Sequence, residues 1–164
     1  MDLVKVFESE NIDYVLVSES LLDDYLKMIN DTEKVGRFIG KLEATSKQEE
    51  TEWIHRKLED KDFMFSMVEK KSGEFIGSIG IENIENERGE LGIAITAVKQ
   101  DKGYGKEAIK AMCDHAKIEL DLKIIYLKVF PFNDKARHVY EECGFREYDR
   151  NDNDIFMELE LKDE

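Results

Sequence analysis

Hydrophobic and polar positions recur with two different periods along this chain, and the changes of period predict its elements. Tyr14-Val15-Leu16-Val17 is a short apolar run that reads as a strand, with an edge strand ahead of it at Leu3 to Phe7. Ser18 or Ser20 caps a helix from Leu21 to about Asn30, whose Leu22, Tyr25, Leu26 and Ile29 share one face. A second amphipathic stretch runs from about Ser46 to Asp60, with Trp53, Ile54 and Leu58 on its buried side.

The period then drops to two. Phe63 to Val68, a Ser72-Gly73 turn and Phe75 to Ile84 predict an antiparallel hairpin. A turn at Glu87-Arg88-Gly89 leads into a strand over Leu91 to Ile95. The loop from Gln100 to Gly105 opens a helix that stacks Ala108, Met112, Ala116 and Leu120 at four-residue intervals. Ile124 to Phe130 is an apolar run interrupted only by Lys128, read as a strand buried on both faces. Asn133 starts a helix that ends at Gly144, and Ile155 to Leu161 alternates as a last strand. Early helices, a meander and then β–α–β–α–β predict a mixed α/β fold.

Composition adds bounds rather than elements. With 164 residues, 41% of them apolar, one domain over residues 1–164 has enough apolar surface for a core. The 24 Lys and Arg against 38 Asp and Glu leave a formal charge of −14. That surface repels nucleic acid and anionic membrane and attracts cations, although solubility alone is a sufficient reason for it. Cys113 and Cys143 lie among alternating apolar and charged residues and read as reduced thiols. Met1 to Glu10 has no secretory pattern and no run of 18 apolar residues occurs, so the expected location is the cytoplasm.

The candidate chemistry begins at Gln100-Asp101-Lys102-Gly103-Tyr104-Gly105-Lys106. Two glycines between a strand and a helix let main-chain N–H groups approach a ligand, and the helix start adds its own donors. The expected ligand is a pyrophosphate. Lys102, Lys106 and Lys110 offset the acidity of the protein, or else form a solvated helix face. A Walker loop is excluded because Glu107 follows Lys106. Gly103, Gly105 and Ala108 satisfy the dinucleotide spacing, but Lys99 to Lys102 separate them from the strand. The next strand also ends Val129-Phe130-Pro131, without the acid that would bind a ribose.

With Glu90-Leu91-Gly92-Ile93-Ala94-Ile95 ahead of it, this loop resembles the Gln/Arg-x-x-Gly-x-Gly/Ala signature of the GNAT acetyltransferase superfamily. A second block, Asn133-Asp134-Lys135-Ala136 followed by Tyr140-Glu141-Glu142-Cys143-Gly144-Phe145, strengthens the likeness to the ribosomal-protein and polyamine N-acetyltransferase branch. The resemblance implies a mostly antiparallel sheet of about six to seven strands with one splayed parallel pair, flanked by about four helices. It implies acetyl-CoA as co-substrate, without a metal. Ile95, Thr96 and Ala97 would pair with the pantetheine amides, and Gln100, Asp101, Lys102, Gly103, Tyr104, Gly105 and Lys106 would cradle the pyrophosphate. Asn133 would bind the pantetheine arm, Lys135 the outer phosphates, and Tyr140 would be the general acid. Family members often have proline where Ala97 stands, so less preorganisation is expected there. Many relatives dimerise, which makes a homodimer a candidate assembly.

Direct attack of an amine on a thioester needs a neutral nucleophile and a proton for the departing thiolate. A phenol stays protonated at neutral pH, which suits Tyr140 to that donation. Tyr140 lies seven residues, or two helical turns, after Asn133, so both project from one side. Asn133 also suits an N-cap and Gly144 a C′ position. Glu90 opens the central strand and is the candidate base, acting through water, with an acid in a hairpin turn as the plainer alternative. Cys113 and Cys143 read as small helix hydrophobes, and His55, His115 and His138 are dispersed. Asp149, Asn151, Asn153 and Glu160 mimic a calcium loop, but Asp154 replaces the required glycine, so a hairpin turn is expected. The expected acceptor is a small cationic amine: a polyamine, an aminoglycoside or an amino-acid-like amine. A protein N-terminus or lysine is the alternative, and a non-catalytic acyl-CoA-binding module is a third reading.

Overall fold

The computed structural model describes residues 3–60 and 62–162. Among these, eight strands form one sheet in the order β1-β2-β3-β4-β5-β6-β8-β7. The strands are β1 (Lys5–Glu8), β2 (Ile12–Leu16), β3 (Phe63–Glu69), β4 (Phe75–Glu85), β5 (Arg88–Ile95), β6 (Ile124–Val129), β7 (Arg146–Arg150) and β8 (Ile155–Glu160). Four α-helices accompany them: α1 (Leu22–Ile29), α2 (Lys47–Glu59), α3 (Tyr104–Leu120) and α4 (Asp134–Glu142). None of the described helices is long and apolar enough to cross a membrane.

The count of eight exceeds the six to seven expected. The additional strand, β7, is Arg-Glu-Tyr-Asp-Arg at the sheet edge with every residue exposed, so it has no apolar alternation to betray it. Its hairpin with β8 turns through Asn151, whose side-chain oxygen accepts from the N–H groups of Asn153 and Asp154, both at 2.8 Å. The pseudo-calcium sequence is therefore a turn. The β4–β5 turn falls one residue earlier than expected. Asn86 and Glu87 carry it, with φ of 52° and 62°, the left-handed pair that a two-residue hairpin demands.

Adjacent residues of β4 divide between two cores. Ile76, Ile79 and Ile81 face α3, where Ile109, Met112 and Ala116 are buried against them. Phe75 faces the other way and packs with Tyr25, Met28 and Val68 under α1. Full burial of an isoleucine such as Ile79 is worth roughly 1.5–3 kcal/mol. The start of α2 is fixed by a capping box in which Ser46 accepts from the Glu49 N–H and Glu49 accepts from the Ser46 N–H.

Every neighbouring pair of strands is antiparallel except β5 and β6. Those two are paired over three residues only, Arg88 to Glu90 against Ile124 to Tyr126. Beyond Glu90 and Tyr126 they part, β5 staying with β4 and β6 with β8.

Candidate active site

The parting of β5 and β6 leaves main-chain groups without a ladder partner. Thr96 donates its N–H to the Ile76 carbonyl at 2.9 Å. By the alternation of an antiparallel pair, Ala94 and Gly92 also turn towards β4, whereas Ile93 and Ile95 turn their main-chain groups into the gap. This edge is what an extended ligand bearing amides would pair with. Thr96 is committed to β4 and lies outside the cleft, as does Ala97.

The helix α3 starts at the mouth of the gap. Its N-cap, Gly103, has φ +87° and ψ 1°, a left-handed conformation in which any side chain is strained, although open space surrounds it. No side chain caps this helix end. The N–H groups of Tyr104, Gly105 and Lys106 thus form an unshielded donor cluster at the positive end of the helix dipole. A methyl group at Gly105 would meet only Ile95 Cδ1 at 3.5 Å and Val139 Cγ1 at 4.0 Å, so neighbouring protein atoms leave this approach open.

A buried carboxylate holds the loop in place. Glu69, at the end of β3, accepts from the Tyr104 hydroxyl, from Ser72 Oγ at 2.7 Å and from Lys99 Nζ at 3.4 Å. Those donors, Tyr104 foremost, hold the Glu69 carboxyl at about 2, against an ordinary 4.5. Glu107 ties the same helix to the β1–β2 turn, accepting from Ser9 Oγ at 2.5 Å and from the Asn11 N–H and Nδ2 at 2.8 Å.

The opposite wall is built by the β6–α4 connection. Pro131 follows Phe130 in a turn closed by the Asn133 N–H on the Phe130 carbonyl at 2.9 Å. Asn133 then caps α4, its Oδ1 accepting from the Ala136 N–H at 3.2 Å. At the far end, Gly144 has φ +99°, its N–H reaches the Glu141 carbonyl, and the Phe145 N–H reaches the Tyr140 carbonyl, each at 3.0 Å. This is a Schellman ending, and its apolar contact is Phe145 against Tyr140, ring centroids 6.0 Å apart. The motif fixes Tyr140, the residue expected to hold a proton. Its hydroxyl makes no hydrogen bond among the described residues and retains access to the cleft. Desolvation pushes its pKa up to about 12.

Together these walls enclose a cleft of about 660 Å³. Of the residues expected to bind a cofactor, Ile95, Gln100, Asp101, Gly103, Tyr104, Gly105, Lys106, Asn133 and Lys135 line it, with Tyr140. Lys102 does not. Lys135 pairs with Asp101 at 2.7 Å, an exposed and exchangeable contact. Glu90 also lies off the cleft, on the sheet face turned away from Ile93 and Ile95. It accepts from Asn83 Nδ2 at 2.8 Å and belongs to the last paired step before the strands part. The structure thus sets it at the vertex of the gap, apart from Tyr140's wall.

Sequence reasoning places specificity within roughly Leu21 to Asp60 but singles out none of Lys34, Val35, Arg37, Phe38 and Ile39, which enter the cleft from the α1–α2 connection, nor Phe132. Nothing local marks them, since the connection reaches the site only through tertiary packing. Five basic side chains, Lys34, Arg37, Lys99, Lys106 and Lys135, line the cleft against three acids, Asp101, Asp134 and Glu142. Among the described residues no cluster of His, Cys, Asp and Glu is arranged to hold a metal.

A sheet that opens at one parallel pair beside an uncapped helix, with a phenol on the facing wall, is the arrangement that the sequence resemblance implies for the acyltransferase class. Comparison with known proteins narrows that class: residues 15–146 match the GNAT acetyltransferase domain, and the chain belongs to that family. Spermidine N(1)-acetyltransferase of Vibrio cholerae is 36% identical over 83 residues, 49% of this chain and 48% of that protein. The uncharacterized N-acetyltransferase p20 of Bacillus licheniformis is 31% identical over 91 residues, 54% of this chain and 51% of that protein. The chain thus matches about half the length of these curated relatives. Among solved structures, a GNAT-family acetyltransferase from Bacillus anthracis superposes with a TM-score of 0.83 at 15% identity, covering 93% of this chain and 96% of that one. The V. cholerae spermidine N-acetyltransferase in complex with CoA and spermine superposes with a TM-score of 0.82 at 23% identity, covering 92% and 95%. At these identities the superpositions establish the fold.

Proposed function

We propose that the protein transfers an acetyl group from acetyl-CoA to the primary amine of a small cationic molecule, with polyamines as the first candidates. The observation that carries this reading is the uncapped start of α3, opening beside an unpaired β5 edge and opposite the free hydroxyl of Tyr140. Main-chain donors of Gly103 to Lys106 suit a diphosphate, the edge at Ile93 and Ile95 suits the pantetheine amides, and Lys34, Arg37, Lys106 and Lys135 suit the outer phosphates. Among the described residues the side-chain N–H groups of Asn133 have no partner, while its oxygen caps α4. Bound acetyl-CoA supplies a thioester carbonyl open to direct attack, so no covalent enzyme intermediate is required.

The remaining work falls to two residues. Tyr140 keeps its proton at neutral pH and delivers it to the sulfur as the C–S bond breaks. Glu90, at the vertex of the gap, takes the proton that the amine loses as the C–N bond forms, through water. The polyamine assignment is supported by the stretch shared with the V. cholerae spermidine enzyme and by the carboxylates on Glu90's face of the sheet, Glu82 and Glu158 among them. Calorimetric titration with CoA, followed by free-thiol release with acetyl-CoA against polyamines, aminoglycosides, amino acids and peptides, tests the proposal. Turnover with spermidine or spermine is expected. Turnover with peptides alone would replace the acceptor assignment, and absence of CoA binding would remove the whole reading.

A further inference from the structure

The connection between α1 and α2 crosses the cleft. Its neck is closed where Asn30 Nδ2 donates to the Thr45 carbonyl at 3.0 Å and the Thr45 N–H donates to Asn30 Oδ1 at 2.7 Å. Inside the neck the chain winds tightly: the N–H groups of Val35 and Gly36 both reach the Asp31 carbonyl, at 2.9 and 3.0 Å, and that of Arg37 reaches the Thr32 carbonyl at 2.8 Å. This winding brings Lys34 to the end of β5 and Phe38 to the far wall. There the Phe38 ring lies 5.8 Å from Phe132, and the Arg37 guanidinium lies 4.6 Å from Phe38 and 5.3 Å from Phe132. Residues 34–38 therefore bridge the two walls.

One side chain ties the bridge to the β5 wall. Gln100 Nε2 donates to the Ile95 carbonyl at 2.9 Å and to the Lys34 carbonyl at 3.1 Å. A side-chain amide carries two hydrogens, and both are used here. The Ile95 carbonyl faces the gap, where it is the acceptor that an extended ligand along β5 would seek. Gln100 thus sits on the ligand edge and on the bridge at once.

We propose that Gln100 is a positioning residue: its amide joins the open edge of β5 to residues 34–38, so that occupancy of the edge and the seating of Arg37 and Phe38 over the cleft are linked. Its main chain still belongs to the phosphate loop; the proposal concerns the side chain. A ligand that takes over the Ile95 carbonyl frees one Gln100 hydrogen, and the tether to Lys34 then sets how firmly the bridge closes. The linkage rests on the cofactor reading above, whereas the tether itself does not.

Hydrogen exchange on the ligand-free protein tests the tether in Gln100→Ala and in Gln100→Glu, which keeps the length of the side chain but removes its donors. Amides of Val35, Gly36, Arg37 and Phe38 are expected to exchange about fivefold to tenfold faster in both variants, while those of β3 and β4 are unchanged. Steady-state kinetics tests the linkage, with KM for acetyl-CoA rising roughly fivefold and kcat staying within about twofold. Exchange at 35–38 equal to wild type, or acceleration spread equally over β3 and β4, would overturn the tether. A fall in kcat at constant KM would overturn the linkage. If the wild-type protein binds no CoA, the cofactor reading fails, and the exchange measurement still decides the role of Gln100.

Discussion

Replacing Tyr140 by phenylalanine removes one oxygen and leaves the ring against Phe145. Because that hydroxyl has no partner among the described residues, its loss leaves nothing unsatisfied, and stability is expected to move by no more than ~0.5 kcal/mol, about 1–2 °C in Tm. Loss of a general acid lowers kcat by roughly 10²–10⁴, or about 3–5 kcal/mol of transition-state stabilisation. Thermal melts beside a thiol-release assay read both quantities on one preparation. Alkaline unfolding supplies a second check. Burial penalises the ionised form and holds the Tyr140 proton to about 12 against an ordinary 10, so the hydroxyl costs nothing below pH 10 and lowers stability progressively as pH rises from 10 towards 12. Tyr14 and Tyr25 are raised in the same direction by burial, and Tyr140→Phe should make the loss across this window shallower without abolishing it. A variant that turns over within about threefold of wild type refutes the acid role, and a Tm that falls in step with kcat would reduce Tyr140 to a packing residue.

Gly103→Ala forces a side chain into the left-handed region without any clash, so a loss of about 1–2 kcal/mol and a raised KM for acetyl-CoA are expected; unchanged melting would show that the loop relaxes at no cost. Glu69→Gln removes the charge that Tyr104, Ser72 and Lys99 hold. Because the folded carboxyl is depressed, its contribution is present above its unfolded value near 4.5 and lost as pH falls towards 2. The variant should therefore be less stable than wild type at pH 7 and lose less on acidification, as acid titration by circular dichroism would record. Glu90→Gln should lower kcat most at neutral pH and progressively less as rising pH neutralises the amine unaided. A deficit independent of pH would dismiss Glu90 as the base.

What the sequence made legible is what local chemistry decides. Gly103, Asn133 and Gly144 each answer a backbone requirement, a left-handed N-cap, a side-chain cap and a Schellman ending, and each was readable from its neighbours. Ile124 to Val129 is legible as a strand from its β-branched and apolar residues, but its burial is one-sided rather than two-sided: Ile125, Leu127 and Val129 are buried while Lys128 is exposed. Strand β7 escaped because an edge strand of five exposed residues carries no hydrophobic period. The bridge at 34–38 escaped for another reason. Its partners, Gln100 and Phe132, lie about 65 and 95 positions away, and only the folded chain joins them. The motif implies a phosphate-loop position for Gln100, yet what its amide holds depends on that same long-range meeting.

Charge shows why a whole-chain sum is a poor guide to a site. A formal −14 argues against binding any polyanion, yet the cleft lining carries five basic groups and three acidic ones. Fields from distant surface acids are screened within about 8–10 Å at ordinary ionic strength, whereas Lys106 and the α3 donors act at contact range. On the proposed function, the acidic surplus bears on the amine acceptor instead. Around the vertex of the gap, away from the cleft, stand Glu82, Glu90 and Glu158, with Arg88 paired to Glu158 at 3.3 Å. A protein that takes an anionic donor from one face of its sheet and a cationic acceptor from the other needs opposite local potentials on the two sides. A strongly acidic chain that brings Lys34, Arg37, Lys99, Lys106 and Lys135 from several elements to one cleft meets that need without a basic composition.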